Sequence, residues 1–132
     1  MHSAVLITGA NRGLGLEFTR QYAEAGWQVL ACCRHPESAE ELLKLAANSK
    51  GMVSVYKLDV SDFSQVDTLA ASLKDQAIDV LINNAGIYPD SGSGMFSDAD
   101  YAAWMEAFRI NSLAPLKVAQ AFTPHLNQEI GR

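Results

Sequence analysis

Cysteine, histidine and positive charge are all in short supply in this sequence, and each shortage closes off a class of function. The two cysteines, Cys32 and Cys33, are neighbours in an apolar run. Adjacent side chains on a strand point to opposite faces, so the pair cannot staple distant segments and reads as reduced core. His2, His35 and His125 are scattered, with no Cys or His pair at ligand spacing, so no metal site is expected. Ten Lys and Arg against fifteen Asp and Glu leave a net charge of −5, the wrong balance for binding a nucleic-acid backbone. No apolar stretch approaches the length that spans a bilayer. Residues 1–7 enter a strand pattern without the basic flank and small-residue cleavage site of a signal peptide. The expectation is a cytoplasmic protein with neither a nucleic-acid nor a membrane partner.

What remains is a sequence of 132 residues, 48% hydrophobic and 19% charged, suited to one ordinary globular domain. Short apolar runs at 4–8, 28–33, 53–58 and 79–83 alternate with helical patterns, which is the syntax of βαβ units. Runs such as Val5-Leu6-Ile7 and Val80-Leu81-Ile82 lack polar alternation, as strands covered on both faces do, so the sheet is expected to be parallel and buried. A first helix carries Leu14, Phe18, Tyr22 and Ala25 on one face and stops at Gly26. A second starts at Pro36 and buries Ala39, Leu42, Leu43 and Ala46. A third has Ser61 as its N-cap and repeats Val66, Leu69, Ala70 and Leu73. A loop of small and polar residues at 89–94 leads into a long helical region from about 97 to about 126, carrying Tyr101, Trp104, Met105 and Phe108.

The first strand runs straight into Thr8-Gly9-Ala10-Asn11-Arg12-Gly13-Leu14-Gly15 and then a helix. In a doubly wound α/β fold this is where a dinucleotide pyrophosphate sits. One glycine permits the tight turn, one lets backbone amides reach the phosphates, and one lets helix and strand pack closely. The helix N-terminus adds donors and a favourable dipole. The spacing is G-x-x-x-G-x-G, and its place between a strand and an amphipathic helix gives it most of its specificity.

That loop, Leu58-Asp59-Val60 after the third strand, Asn83-Asn84-Ala85-Gly86 after the fourth and Asn111 in the following helix together resemble the short-chain dehydrogenase/reductase family. The likeness runs along essentially the whole chain. Thr8-to-Gly15, Cys33-Arg34-His35-Pro36 after the second strand and the run Leu81-to-Ile87 are most similar to the carbonyl reductase and C-factor-like branch. The resemblance implies a Rossmann-type doubly wound parallel sheet in one NAD(P)-binding domain over residues 1–132. It implies that Thr8, Gly9, Asn11, Arg12, Gly13, Leu14 and Gly15 form the phosphate loop and that Asp59 and Val60 line the adenine pocket. Asn83, Ala85 and Gly86 would lie beside the nicotinamide-side ribose. An acidic residue at the end of the second strand suits NAD and a basic one the 2′-phosphate of NADP. Arg34 holds that place, with Arg12 a second cation, so the expected cofactor is NADP(H).

Pro115 follows Asn111 by four positions and cannot donate the helical hydrogen bond to the Asn111 carbonyl, so the helix should kink there. In the family this Asn holds a water in the proton relay, which implies a catalytic role for Asn111. The family's Tyr and Lys, spaced Y-x-x-x-K, have no match: the positions four after Tyr22, Tyr56, Tyr88 and Tyr101 hold Gly26, Val60, Gly92 and Met105. The catalytic Ser has no counterpart either. The chain therefore reads as the cofactor-binding front part of an NADP(H)-dependent oxidoreductase for a carbonyl or alcohol, truncated after the fourth strand and the long helix, and inactive alone. A homo-oligomer is expected, through the open edge of the fourth strand or the long helix. A non-catalytic NADP-binding or signalling protein of the same family stays open beside it, and continuation of the reading frame into a Y-x-x-x-K segment separates the two.

Overall fold

The computed structural model describes residues 2–86 and 101–127. The expected loop at 89–94 and the first residues of the long helical region lie outside them. Strands β1 (Ala4–Thr8), β2 (Gln28–Cys33), β3 (Val53–Lys57) and β4 (Val80–Ile82) form one sheet in the order β3-β2-β1-β4. All pairings are parallel, with Val5 opposite both Val29 and Val80. The order reverses direction between β1 and β4, and such a switch point opens a crevice at the carboxyl ends of the strands.

Helices α1 (Gly13–Glu24), α2 (Glu40–Ala47), α3 (Phe63–Ser72), α4 (Tyr101–Phe108) and α5 (Ala114–Leu126) flank the sheet. The pleat sorts the apolar strand residues into two cores. Val5, Ile7, Val29, Ala31 and Cys33 pack with Leu42 and Phe18 on one face. Ala4, Leu6, Leu30 and Cys32 pack with Val66, Val118 and Phe122 on the other. The adjacent cysteines thus do point opposite ways, and burial pushes both thiols above their ordinary pKa. The buried His125 donates from Nε2 to the Ala70 carbonyl, 2.9 Å away, which ties α5 to α3.

Several local expectations are corrected. Pro36 opens only a single 3-10 turn, Pro36–Ser38. Ala39 then leaves helical geometry, at φ −86° and ψ 67°, to bury its methyl in the core, and α2 starts after it. The cap of α3 is Asp62, whose Oδ1 accepts from the Ser64 and Gln65 amides at 3.1 and 3.3 Å. Ser61 is not the cap because its own N–H and hydroxyl both go to Asp59. Leu14, expected on the inner face of α1, is 68% exposed, and Leu43 is exposed as well. The rotation of α1 is set by Gly15 and Thr19, which face the sheet, and a helix position one residue earlier lies about 100° around. The β4 residues are half-buried rather than fully covered, since among the described residues β4 has β1 on one side and no strand on the other.

Candidate functional site

The carboxyl ends of the strands are joined by hydrogen bonds that leave little freedom. The Thr8 hydroxyl, buried at the end of β1, accepts the Asn84 and Ala85 amides, each at 3.0 Å. The Asn84 side chain donates to the Gly9 carbonyl at 3.1 Å. Gly9 takes φ +63°, and a Cβ there would sit 2.9 Å from the Cα of Ala85. A Cβ on Gly15 would fall 2.0 Å from the Gly9 carbonyl oxygen. The loops after β1 and β4 are therefore in backbone contact, which no side chain larger than hydrogen permits at these two positions.

Helix α1 begins at Gly13 with no side-chain cap and no acidic residue in its first turn. Its N-terminal donors and the positive end of its dipole are left for an external anion. They open on a cleft of about 360 Å³. Gly9, Asn11, Arg12 and Gly13 line it from the glycine loop; Cys33, Arg34, His35 and Ser38 line it from the end of β2. Leu58, Asp59 and Val60 face it from the end of β3, and Asn84, Ala85 and Gly86 from the end of β4, with Ile110 from the helical segment. Arg12 and Arg34 are exposed and, among the described residues, neither guanidinium has an ion pair or hydrogen bond. His35 lies 3.4 Å from Glu37.

Thr8 and Gly15 stand behind the lining and hold it in shape. Leu14 and Asn83 are not lining residues. Asn83 donates instead to the Pro115 carbonyl at 3.2 Å, fastening the end of β4 to the start of α5. Beyond the expected site residues, Asn84 of the Asn83-to-Gly86 run also lines the cleft, with Cys33, His35, Ser38, Leu58 and Ile110. For Asn84 a signal existed, because neighbours in an extended segment face opposite ways and only one of the Asn pair can turn toward the glycine loop.

The interruption expected at Asn111 takes the form of a π-helical turn, Arg109–Leu113, between α4 and α5. The Ala114 N–H reaches back five residues to the Arg109 carbonyl, so the ladder absorbs the missing Pro115 donor by widening. The turn brings the Asn111 side chain over Gly86, where a Cβ would meet its Oδ1 at 3.0 Å. At the other end, Asp59 Oδ1 accepts from the Ser61 N–H at 3.0 Å and hydroxyl at 2.7 Å, and the Asp59 N–H donates to Gln65. Cys33 is no ready nucleophile: burial raises its pKa, opposed by a backbone hydrogen bond at His35. No group of metal-ligating side chains occurs among the described residues, and no described helix is long and apolar enough to cross a membrane.

A family model described as short chain dehydrogenase matches residues 3–132. A carbonyl reductase from chicken fatty liver, solved with NADPH bound, superposes with a TM-score of 0.82 at 34% identity, covering 95% of this chain and 52% of that one. A Pseudomonas aeruginosa carbonyl reductase in complex with NADP gives 0.87 at 31% identity, over 95% and 56% of the two chains. Short-chain dehydrogenase/reductase 1 of Saponaria officinalis is 41% identical over 110 residues, 79% of this chain and 34% of that protein. The chain spans about half the length of curated relatives it matches, 47%, 44% and 48% for three of them.

Proposed function

The chain belongs to the short-chain dehydrogenase family, and from that premise we propose that it is the NADP(H)-binding part of an oxidoreductase acting on a carbonyl or alcohol. The observation that carries this reading is the pair of unpartnered guanidiniums, Arg12 and Arg34, lining the same cleft as an uncapped helix N-terminus. A dinucleotide with a 2′-phosphate needs both features, and the residues present fit one. The α1 amides receive the pyrophosphate, with Gly9, Gly13 and Gly15 letting backbone come close. Arg34 and Arg12 take the 2′-phosphate through forked donors. Asp59 and Val60 flank the adenine. Ala85 and Gly86 border the nicotinamide-side ribose, and Asn83 supports that segment through Pro115. Asn111, packed over Gly86, orients a water for proton transfer. When bound, the nicotinamide supplies or accepts the hydride.

No Tyr in this chain has a Lys four positions on, and a proton donor of that kind needs the ammonium beside it to titrate near neutrality. Binding without turnover is therefore the behaviour proposed for the chain by itself. The finer partner assignment is a second copy of the chain, supported by the exposed Tyr101, Met105, Phe108 and Leu116 along α4 and α5. A clean monomer by light scattering at micromolar concentration contradicts it. The cofactor assignment is tested by competition against NADPH: 2′,5′-ADP should compete at least about tenfold better than 5′-AMP, the scale of one charged hydrogen bond. Equal competition overturns the choice of NADP(H).

A further inference from the structure

Arg109 sits where the α-helical ladder gives way to the π turn, and its carbonyl accepts the bond that defines that turn. Its side chain leaves toward a different element. Nε and Nη2 both donate to the Ser61 carbonyl, at 3.1 and 2.9 Å, and the guanidinium lies over the Phe63 ring, 4.2 Å from its centroid. Ser61 in turn holds Asp59 by two hydrogen bonds. Among the described residues Arg109 has no carboxylate partner, so its half-buried charge is committed to a neutral carbonyl and a ring. An Arg suits that task because its planar fork reaches one carbonyl with two donors while its face stacks.

The two ends of this contact chain both belong to the cleft. Asp59 lines it from the β3 side, Ile110 lines it from the π turn, and the next residue, Asn111, packs on Gly86. We propose that Arg109 is a positioning residue that couples occupation of the adenine side of the cleft to the conformation of the turn carrying Asn111. The proposal rests on the cofactor reading above and deepens it. A ligand that orders 59–61 fixes the Ser61 carbonyl, the carbonyl fixes the guanidinium, and the guanidinium fixes the first residue of a helical turn with an irregular hydrogen-bond ladder. Coupling of this kind is reciprocal: order in the π turn must raise affinity for the adenine end by the same factor. π turns recur at functional sites, and here the turn has a side-chain tether to the opposite wall.

The test is amide hydrogen exchange on the chain with and without 2′,5′-ADP, which contains the adenine end and no nicotinamide. In the wild type, exchange should slow both at 59–61 and at 109–114. In Arg109→Met, slowing at 59–61 should persist, slowing at 109–114 should vanish, and NADPH affinity should fall about tenfold. Arg109→Lys, with one ammonium in place of the fork, should lie between, about threefold weaker than wild type, and it decides the matter on the same readout if the Met variant does not fold by circular dichroism. Protection at 109–114 that is absent in the wild type, or identical in the variants, overturns the coupling. A wild-type chain that does not bind 2′,5′-ADP overturns the NADP(H) reading itself, and that is visible before any variant is made.

Discussion

The two ends of the cleft are built differently. At the glycine loop the backbone is locked from within the chain, while the first amides of α1 stay open to the cleft: Thr8 holds two amides of the β4 loop, Asn84 holds the Gly9 carbonyl, and Gly15 touches Gly9 directly. At the far end stand Gly86 and Asn111, with no Tyr and Lys pair at the spacing that proton transfer in this family employs. Holding a dinucleotide requires backbone shape, which the first 86 residues supply by close packing at the switch point. Reducing or oxidising a substrate requires a titratable donor, and no Tyr of this sequence has a Lys four positions on. Affinity and turnover should therefore separate in this chain.

The sharpest way to break this contrast is Gly15→Ala. Its methyl would overlap the Gly9 carbonyl, so the two loops must part, at a stability cost on the order of 4 kcal/mol. NADPH binding should fall below detection, and a thermal melt with a fluorescence titration checks both. Thr8→Val keeps the shape and removes the acceptor, leaving two amides unpaired. Stability should drop by about 3 kcal/mol in urea unfolding, with unchanged denaturant sensitivity. Arg34→Gln leaves the packed loop untouched and should weaken NADPH roughly tenfold to a hundredfold while sparing NADH, since only the 2′-phosphate contact is lost.

The smallest effect is expected at the cap of α3, which does not itself line the cleft. Hydrogen bonds from the Ser64 side chain, then the Gln65 backbone, hold the Asp62 carboxyl below its ordinary pKa. A depressed folded-state pKa adds stability above the unfolded-state value, lost as pH falls through the folded one. Asp62→Ala should lower the melting temperature slightly at neutral pH, with the gap to wild type closing in acid. NADPH affinity should fall less than for Arg34→Gln, because Asp62 reaches the cleft only through the Asp59 carbonyl and Gln65. A loss as large as that of Arg34→Gln would mean that the α3 cap, and not the 2′-phosphate contact, dominates binding.

Much of this was legible in the residues. Continuous apolar runs foretold a parallel sheet, and the strand–glycine–helix junction located the cleft, because both rest on local sequence. The features that escaped depend on contacts between distant segments. The exposure of Leu14 follows from the rotation that Gly15 imposes on α1, a constraint visible only once Gly9 is beside it. Pro115 marked an interruption near Asn111, but a missing donor can be met by bending or by widening, and packing decided for a π turn. Asn84 and Asn83 share one run, yet opposite facing sends one to Gly9 and the other to Pro115. Arg109 reads as one more charged helix residue until the β3 loop places the Ser61 carbonyl within its reach.

The central claim, that this chain binds NADP(H) without turning it over, is tested most directly by titrating the purified chain with NADPH and with NADH. Nicotinamide fluorescence reports binding, and the same samples are assayed for oxidation of NADPH with a panel of aldehydes and quinones. Saturable binding that prefers NADPH by about tenfold or more, with no turnover, is the predicted result. Equal or absent binding of the two cofactors, or steady consumption of NADPH, contradicts it.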